Sequence, residues 1–186
     1  MLVRTTYLEQ GSPEAVRPAA SPADSVDVVR VELPSPEFSR FLYATVGGDW
    51  HWTDRLGWTR SAWSEYLDRP LVETWVAWVR GTPAGYIELA GSSTGDVEIA
   101  YFGLLPGFLG RGLGGHLLTE GLRRAWAMAT RRPGIEPVHR VWVHTCTLDG
   151  PAALANYQAR GMTVYRTEDA EVDVPASPPG SWPTST

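Results

Sequence analysis

Glycines at positions 110, 112, 114 and 115, spaced around a single Arg111, form the stretch of this chain best suited to chemistry. They follow a strand-like run that starts at Glu98 and precede an amphipathic run, so this reads as strand, glycine-rich turn and helix. Backbone N–H groups of such a turn, with the positive N-terminal end of the helix, can approach an anion closely, which predicts a phosphorylated ligand. Two familiar alternatives fit poorly. A Walker loop needs Gly-Lys-Ser/Thr after four spacer residues, and no lysine follows these glycines. A dinucleotide fold places Gly-x-Gly-x-x-Gly after its first strand, with an acid about 20 residues on. Here roughly a hundred residues come first and the downstream acid is missing.

Side chains able to move protons stand nearby. Glu98 lies beside Ile99 and Tyr101, apolar surroundings that raise a carboxyl pKa and suit it to accept a proton near neutral pH; the plain alternative is a solvated or arginine-paired carboxylate. His144 and Cys146 alternate onto one strand face with Trp142, but spacing of i and i+2 does not by itself make a nucleophile and its base. His116 falls in the first turn of the helix after the glycines. The segment Asp49-Trp50-His51-Trp52-Thr53-Asp54-Arg55-Leu56-Gly57-Trp58 gathers aromatic walls and acids suited to a cationic or aromatic amine; the same residues would also pack a loop or an interface. Glu88 is placed to reach the same cavity.

The elements that must position these groups follow from turns and periodicity. Residues 1–10 read as a short edge strand, 11–24 as a Pro/Ala/Ser loop and 26–33 as the first core strand. Ser35 as N-cap and Pro36 at the first position start a helix to about residue 46, stopped by Gly47 and Gly48. After the tryptophan-rich loop, Thr59 or Ser61 opens a helix ending before Pro70. Residues 73–80 and 84–90 form a hairpin around Gly81. Then follow a strand over 96–105, a helix over 112–130, a strand over 139–147, a helix over 152–160, and closing strands over 164–168 and 171–174. Two hairpin-type strands followed by βαβα predict an α/β fold: a mixed central sheet of six to seven strands with helices on both faces.

The chain has 186 residues, 43% of them hydrophobic, consistent with one domain over 1–175 and a flexible C-terminal tail over 176–186. No apolar run long enough to span a membrane and no basic-then-apolar leader is present, which predicts a cytoplasmic protein without a membrane partner. A single cysteine excludes a disulfide framework, and no Cys/His spacing suggests a metal site. Net charge of −5 argues against nucleic acid. Abundant alanine and arginine with scarce lysine hint at a GC-rich bacterial genome.

A second motif joins the first. After the strand ending near Thr147 comes Asp149-Gly150-Pro151-Ala152-Ala153-Leu154-Ala155-Asn156-Tyr157-Gln158-Ala159-Arg160-Gly161-Met162, in which Pro151 suits a first helical turn and Gly161 a C-terminal cap. With Leu109-Gly110-Arg111-Gly112-Leu113-Gly114, it resembles the GNAT superfamily of acyl-coenzyme A-dependent N-acyltransferases. That family carries Gln/Arg-x-x-Gly-x-Gly/Ala and, later, Asn-x-x-Ala followed by Tyr-x-x-x-Gly-Phe. Leu109 replaces the family's Gln or Arg, Asp149 stands near its Asn, and Met162 replaces its Phe; the match covers roughly residues 71–168.

The resemblance implies a cofactor, acetyl-CoA, and transfer of acetyl to a primary amine of a small molecule in a ternary complex. Its pyrophosphate would lie on Leu109, Gly110, Arg111, Gly112, Leu113, Gly114 and Gly115, near Asn156, with backbone of Phe102, Gly103 and Leu104 pairing the pantetheine between two splayed strands. It implies Glu98 as base, with His144 as a backup, Tyr157 as acid for the leaving thiolate and the Leu104 N–H as oxyanion donor. The acceptor pocket would draw on Trp50, Trp52, Asp54, Trp58, Glu88 and His144. Homodimers are common in the family, and a peptide amine as acceptor or a silent acyl-CoA sensor is the alternative.

Overall fold

The computed structural model describes residues 1–175 and 177–182. In chain order it contains β1 (Leu2–Gln10), β2 (Asp27–Arg30), α1 (Pro36–Gly47), α2 (Arg60–Leu67), β3 (Val72–Val79), β4 (Thr82–Gly91), β5 (Asp96–Leu104), α3 (Leu113–Trp126), α4 (Met128–Arg131), β6 (Arg140–Cys146), α5 (Ala153–Ala159) and β7 (Thr163–Glu171). The strands form one seven-stranded mixed sheet in the order β2-β3-β4-β5-β6-β1-β7. Only β5 and β6 pair in parallel, with α3 and α4 in the crossover between them.

Local chemistry sets the helix starts. Ser35 accepts a hydrogen bond from the Phe38 N–H at 3.3 Å with Pro36 behind it, and Thr59 accepts one from Ala62 at 3.1 Å, each satisfying an otherwise orphaned first-turn donor. Helices α1 and α2 cover one face through Leu42, Tyr43, Val46 and Trp63. The opposite face receives α3, whose Leu113, Leu117, Leu118 and Leu122 are buried against Ile87, Ile99 and Val141.

Several boundaries differ from the sequence reading. Residues 1–10 are not an edge strand: β1 lies between β6 and β7, and its Leu8 is completely buried. The edge role falls to β7, one continuous strand rather than two, exposed along its whole length. At the other edge, β2 is only four residues long and half-buried on alternate positions, so it is not a core strand. The predicted helix over 112–130 turns at Ala127 into α3 and α4. In the predicted tail, Gly180 donates to the Gly48 carbonyl at 2.9 Å and Ser181 donates to Asp49 at 3.2 Å; residues 176 and 183–186 lie outside the described residues.

One buried ion pair ties the tryptophan-rich loop to the sheet. Arg55 on the loop and Glu88 on β4 are 7% and 2% exposed, and the guanidinium contacts both carboxylate oxygens at 2.9 and 3.3 Å. Tyr66 donates its hydroxyl to the same carboxylate at 2.7 Å. The guanidinium lies 4.1 Å from the Tyr66 ring centre, 4.3 Å from Tyr101 and 4.8 Å from Trp58, so the remaining charge is met by aromatic faces. Burial works against the Arg55 charge, and Glu88 with the two tyrosines more than offsets it, holding its pKa above the ordinary arginine value. Replacing Arg55 by Met leaves a buried, unpaired carboxylate and is expected to cost about 3–5 kcal/mol in urea unfolding. Arg60→Ala, which removes only the exposed pair with Glu37, is expected to cost under about 1 kcal/mol.

Candidate active site

The site begins where β5 and β6 part. Their parallel pairing covers only Asp96, Val97 and Glu98 against Arg140, Val141 and Trp142. Beyond it β5 continues over residues 99–104 against β4, and β6 over 143–146 against β1, with no ladder between them. A β-bulge sharpens the divergence: Glu88 faces Tyr101 while the next β4 residue, Leu89, faces Ile99, so Ala100 is extra. Val97 and Ile99 belong to the core under α3, and past the bulge Phe102 and Leu104 do so instead. The bulge thereby turns Tyr101 to the α1 side, where it packs on Tyr43 and Trp52. Between the parted strands opens a cavity of 1380 Å³.

Glu98 and His144 face each other across this cleft, with Oε1 3.6 Å from Nδ1. Both line the cavity. The contact with Glu98 raises the His144 pKa; burial opposes the shift, and the charges of Glu98, Asp149 and Asp54 reinforce it. Trp142 stacks on the imidazole at 6.2 Å, which fixes the ring over the cleft. Tyr157, on α5, also lines the cavity, is 5% exposed and meets the Phe102 ring edge-on at 5.9 Å. Burial, with the charge of Asp149, pushes its phenol well above the ordinary tyrosine range, so the hydroxyl keeps its proton. Burial also raises the Cys146 thiol, which opposes a thiolate nucleophile there. Asp149 anchors this end of β6: it accepts from the Thr145 hydroxyl at 2.6 Å and the Cys146 N–H at 2.9 Å.

The glycine turn is only partly turned toward the cavity. Leu109, Gly110, Gly114 and Gly115 line it together with Asn156, as do Phe102, Gly103 and Leu104 of β5. Gly110 and Gly112 have φ of 74° and 77°, a left-handed conformation that favours glycine. Gly112 caps α3 with no side-chain hydrogen bond, leaving the first helical N–H groups free for an anion. Arg111, Gly112 and Leu113 do not line the cavity. Arg111 is ion-paired to Asp24 and lies over the Phe108 ring at 5.1 Å, and the Leu113 side chain is core. A cation that sequence reasoning missed, Arg160, is likewise outside the cavity lining, but its Nη1 lies 2.7 Å from where a side chain on Gly115, which does line it, would begin. Its Nε is buried without a hydrogen-bond partner among the described residues. Its one signal was a basic residue directly before the Gly161 cap.

On the α1 side Trp50, Trp52 and Asp54 line the cavity, joined by His51, Arg55, Tyr66 and Arg69, which the sequence reading did not single out. Trp58 and Glu88 do not line it. Both contact Arg55 instead, Trp58 through its ring face and Glu88 through its carboxylate.

The sequence profile of the Acetyltransferase (GNAT) family matches residues 33–162. A comparison with curated proteins returns no match. Among solved structures, a GCN5-related N-acetyltransferase from Kribbella flavida superposes with a TM-score of 0.61 at 18% identity, over 88% of this chain and 55% of that one. One from Sphaerobacter thermophilus gives 0.57 at 17%, over 89% and 50%. A tandem GNAT protein from the clavulanic acid biosynthesis pathway gives 0.50 at 16%, over 92% and 54%. The chain thus spans about half the length of these structures. Profile, sheet order and parted strands agree, and the chain belongs to the GNAT acetyltransferase family.

Proposed function

We propose that the protein transfers an acetyl group from acetyl-CoA to a primary amine of a small molecule, by direct attack in a ternary complex. The observation that carries this reading is the parting of β5 from β6 after Glu98, which leaves one backbone edge of each strand facing the cavity. Buried backbone groups need partners, and a pantetheine arm carries amides of the right kind to stand in for a strand. The uncapped N-terminus of α3, with Gly110, Gly114 and Gly115 at the cavity wall, fits a pyrophosphate. Arg160 supplies in this reading the positive charge that Leu109 lacks and Arg111 spends on Asp24.

Bound acetyl-CoA supplies the acyl group as a thioester. The amine forms the new C–N bond as the C–S bond breaks, and two protons must move. Glu98 with His144 takes the proton lost by the amine, the pair being close enough to share it. Tyr157, held protonated by burial, gives a proton to the departing sulfur, and the Leu104 N–H faces the developing oxyanion. Trp50, Trp52 and Asp54 receive the acceptor in its ammonium form, which releases one proton to solvent before the neutral amine attacks.

Calorimetric titration with acetyl-CoA, CoA and a nucleotide control, followed by a thiol-release screen over amines, tests the reading. Acetyl-CoA is expected to bind and the nucleotide alone to bind more weakly; binding without thiol release for any amine would favour an acyl-CoA sensor instead. Arg160→Met is expected to weaken CoA by about tenfold, the scale of one charge-assisted hydrogen bond. Glu98→Gln and Tyr157→Phe are each expected to lower kcat by about 10²–10⁴, and values within about twofold of wild type would overturn the assigned roles. Protonated His144 cannot accept a proton, so kcat/KM should rise with pH through its raised pKa. Because Glu98 is the chief cause of that shift, Glu98→Gln should move both this limb and the His144 NMR titration to lower pH.

A further inference from the structure

The chain after β7 does not leave the molecule where the sheet ends. At its start Val172 exchanges two backbone hydrogen bonds with Met1, at 2.8 and 3.0 Å. Val172 and Val174 then line the same cavity as Trp50, His51 and Trp52. The Pro175 carbonyl accepts from His51 Nε2 at 3.2 Å. At the far end, Gly180 and Ser181 donate to Gly48 and Asp49, at the turn where α1 stops. Between β7 and that turn stand, in sheet order, β1, β6, the cleft and β5, on which α1 packs. Between its contacts with Met1, beside β1, and with His51, beside that turn, the stretch 172–175 passes from one side of the cleft to the other.

Two features show a built contact. Gly48 has φ −59° and ψ −34°, a right-handed conformation open to any residue, so backbone geometry does not call for glycine. A side chain there would begin 2.5 Å from the Gly180 carbonyl carbon and 2.7 Å from the Ser181 nitrogen, and its three nearest neighbours are all atoms of this segment. His51, which holds Pro175, has φ 59°, an uncommon conformation outside glycine that costs on the order of 1–3 kcal/mol and persists where neighbours fix it. Pro175, Pro178 and Pro179 stiffen the segment and reduce the entropy lost on ordering it.

We propose that residues 172–175, with 177–182 beyond them, are a fixed roof on the acceptor half of the cavity, clamped at His51, Gly48 and Asp49, and that this roof restricts the acceptor to small molecules and excludes polypeptide amines. The inference rests on the function proposed above. Val172 and Val174 add apolar surface to the wall that Glu98, His144 and Asp54 also line. An acceptor of this shape carries one reactive amine on a compact, partly apolar body. A polypeptide N-terminus would need an open groove where the roof lies.

Cys146, the single cysteine, lines the cavity on the face of His144 and gives a readout independent of catalysis. The experiment compares its labelling rate by N-ethylmaleimide and by a 5-kDa polyethylene glycol maleimide in the wild-type full chain, Gly48→Ala and Ser181→Pro. Alanine suits a helical end better than glycine by up to about 1 kcal/mol, so Gly48→Ala should not unfold the protein. Ser181→Pro removes the exposed amide donor to Asp49 and constrains Gly180 before it, so it loosens the same clamp. In wild type the small reagent is expected to label and the polymer to be excluded; in both variants the polymer rate should rise at least tenfold. Acetyl-CoA affinity, measured by calorimetry, should stay within twofold in all three proteins. Polymer labelling at equal rates in wild type and variants would overturn the roof. A wild type that binds no acetyl-CoA yet shows the labelling difference would keep the roof and overturn the coenzyme reading. Acetylation of an unstructured hexapeptide by wild type at the rate of small amines would overturn the exclusion of polypeptides.

Discussion

The structure depends on where one parallel ladder stops. β5 and β6 share pairing over Asp96–Glu98 only, and the site opens between the edges they leave apart. The separation is tolerable because each strand keeps a partner on its other side, β4 for β5 and β1 for β6, so about half of the ladder bonds of each strand survive. An open edge inside a protein requires something to pair with it or water to fill it. The bulge at Ala100 and the anchoring of Thr145 and Cys146 by Asp149 hold the two edges in divergent directions.

The electrostatics of the cleft follow from a second constraint, the cost of a buried charge. Arg55 cannot sit among Tyr66, Tyr101 and Trp58 without Glu88, and Glu88 cannot sit in β4 without Arg55. The pair fixes the tryptophan loop against the sheet, keeps the Glu88 carboxylate out of the cavity and neutralises Arg55 at its wall. What remains at the cavity wall on that side includes Asp54, Glu98 and His144, with Arg69 beside them. Glu98 and His144 then act on each other at short range, which is why the histidine holds its proton more tightly than it would in water.

Loop and C-terminal segment act as two walls of one compartment. The loop is held by the buried pair, and residues 172–175 and 177–182 are held by backbone hydrogen bonds and a close approach of Gly180 that a side chain at Gly48 would obstruct. Neither is regular secondary structure. Each is ordered by contacts with the other or with the sheet, as expected for segments that shape a site on a rigid scaffold.

What the sequence determined by itself was set by local rules. Ser35 and Thr59 marked helix starts because a short side-chain oxygen there meets an unpaired amide, and the glycine turn with its following helix was legible because left-handed positions and an uncapped helix end are written in residue type. The alternation of Trp142, His144 and Cys146 against Val141, Val143 and Thr145 likewise follows from the period of a strand. What tertiary structure alone decided was which charges meet. Arg111 turned to Asp24, 87 positions away, and Glu88 to Arg55 rather than to the cavity. Arg160 came to Gly115, and the segment after β7 crossed to Gly48. β1 became an inner strand because β7 returned to cover it. These are contacts between residues far apart in the chain, chosen by burial and by the need to neutralise buried charge, and no local pattern carries them.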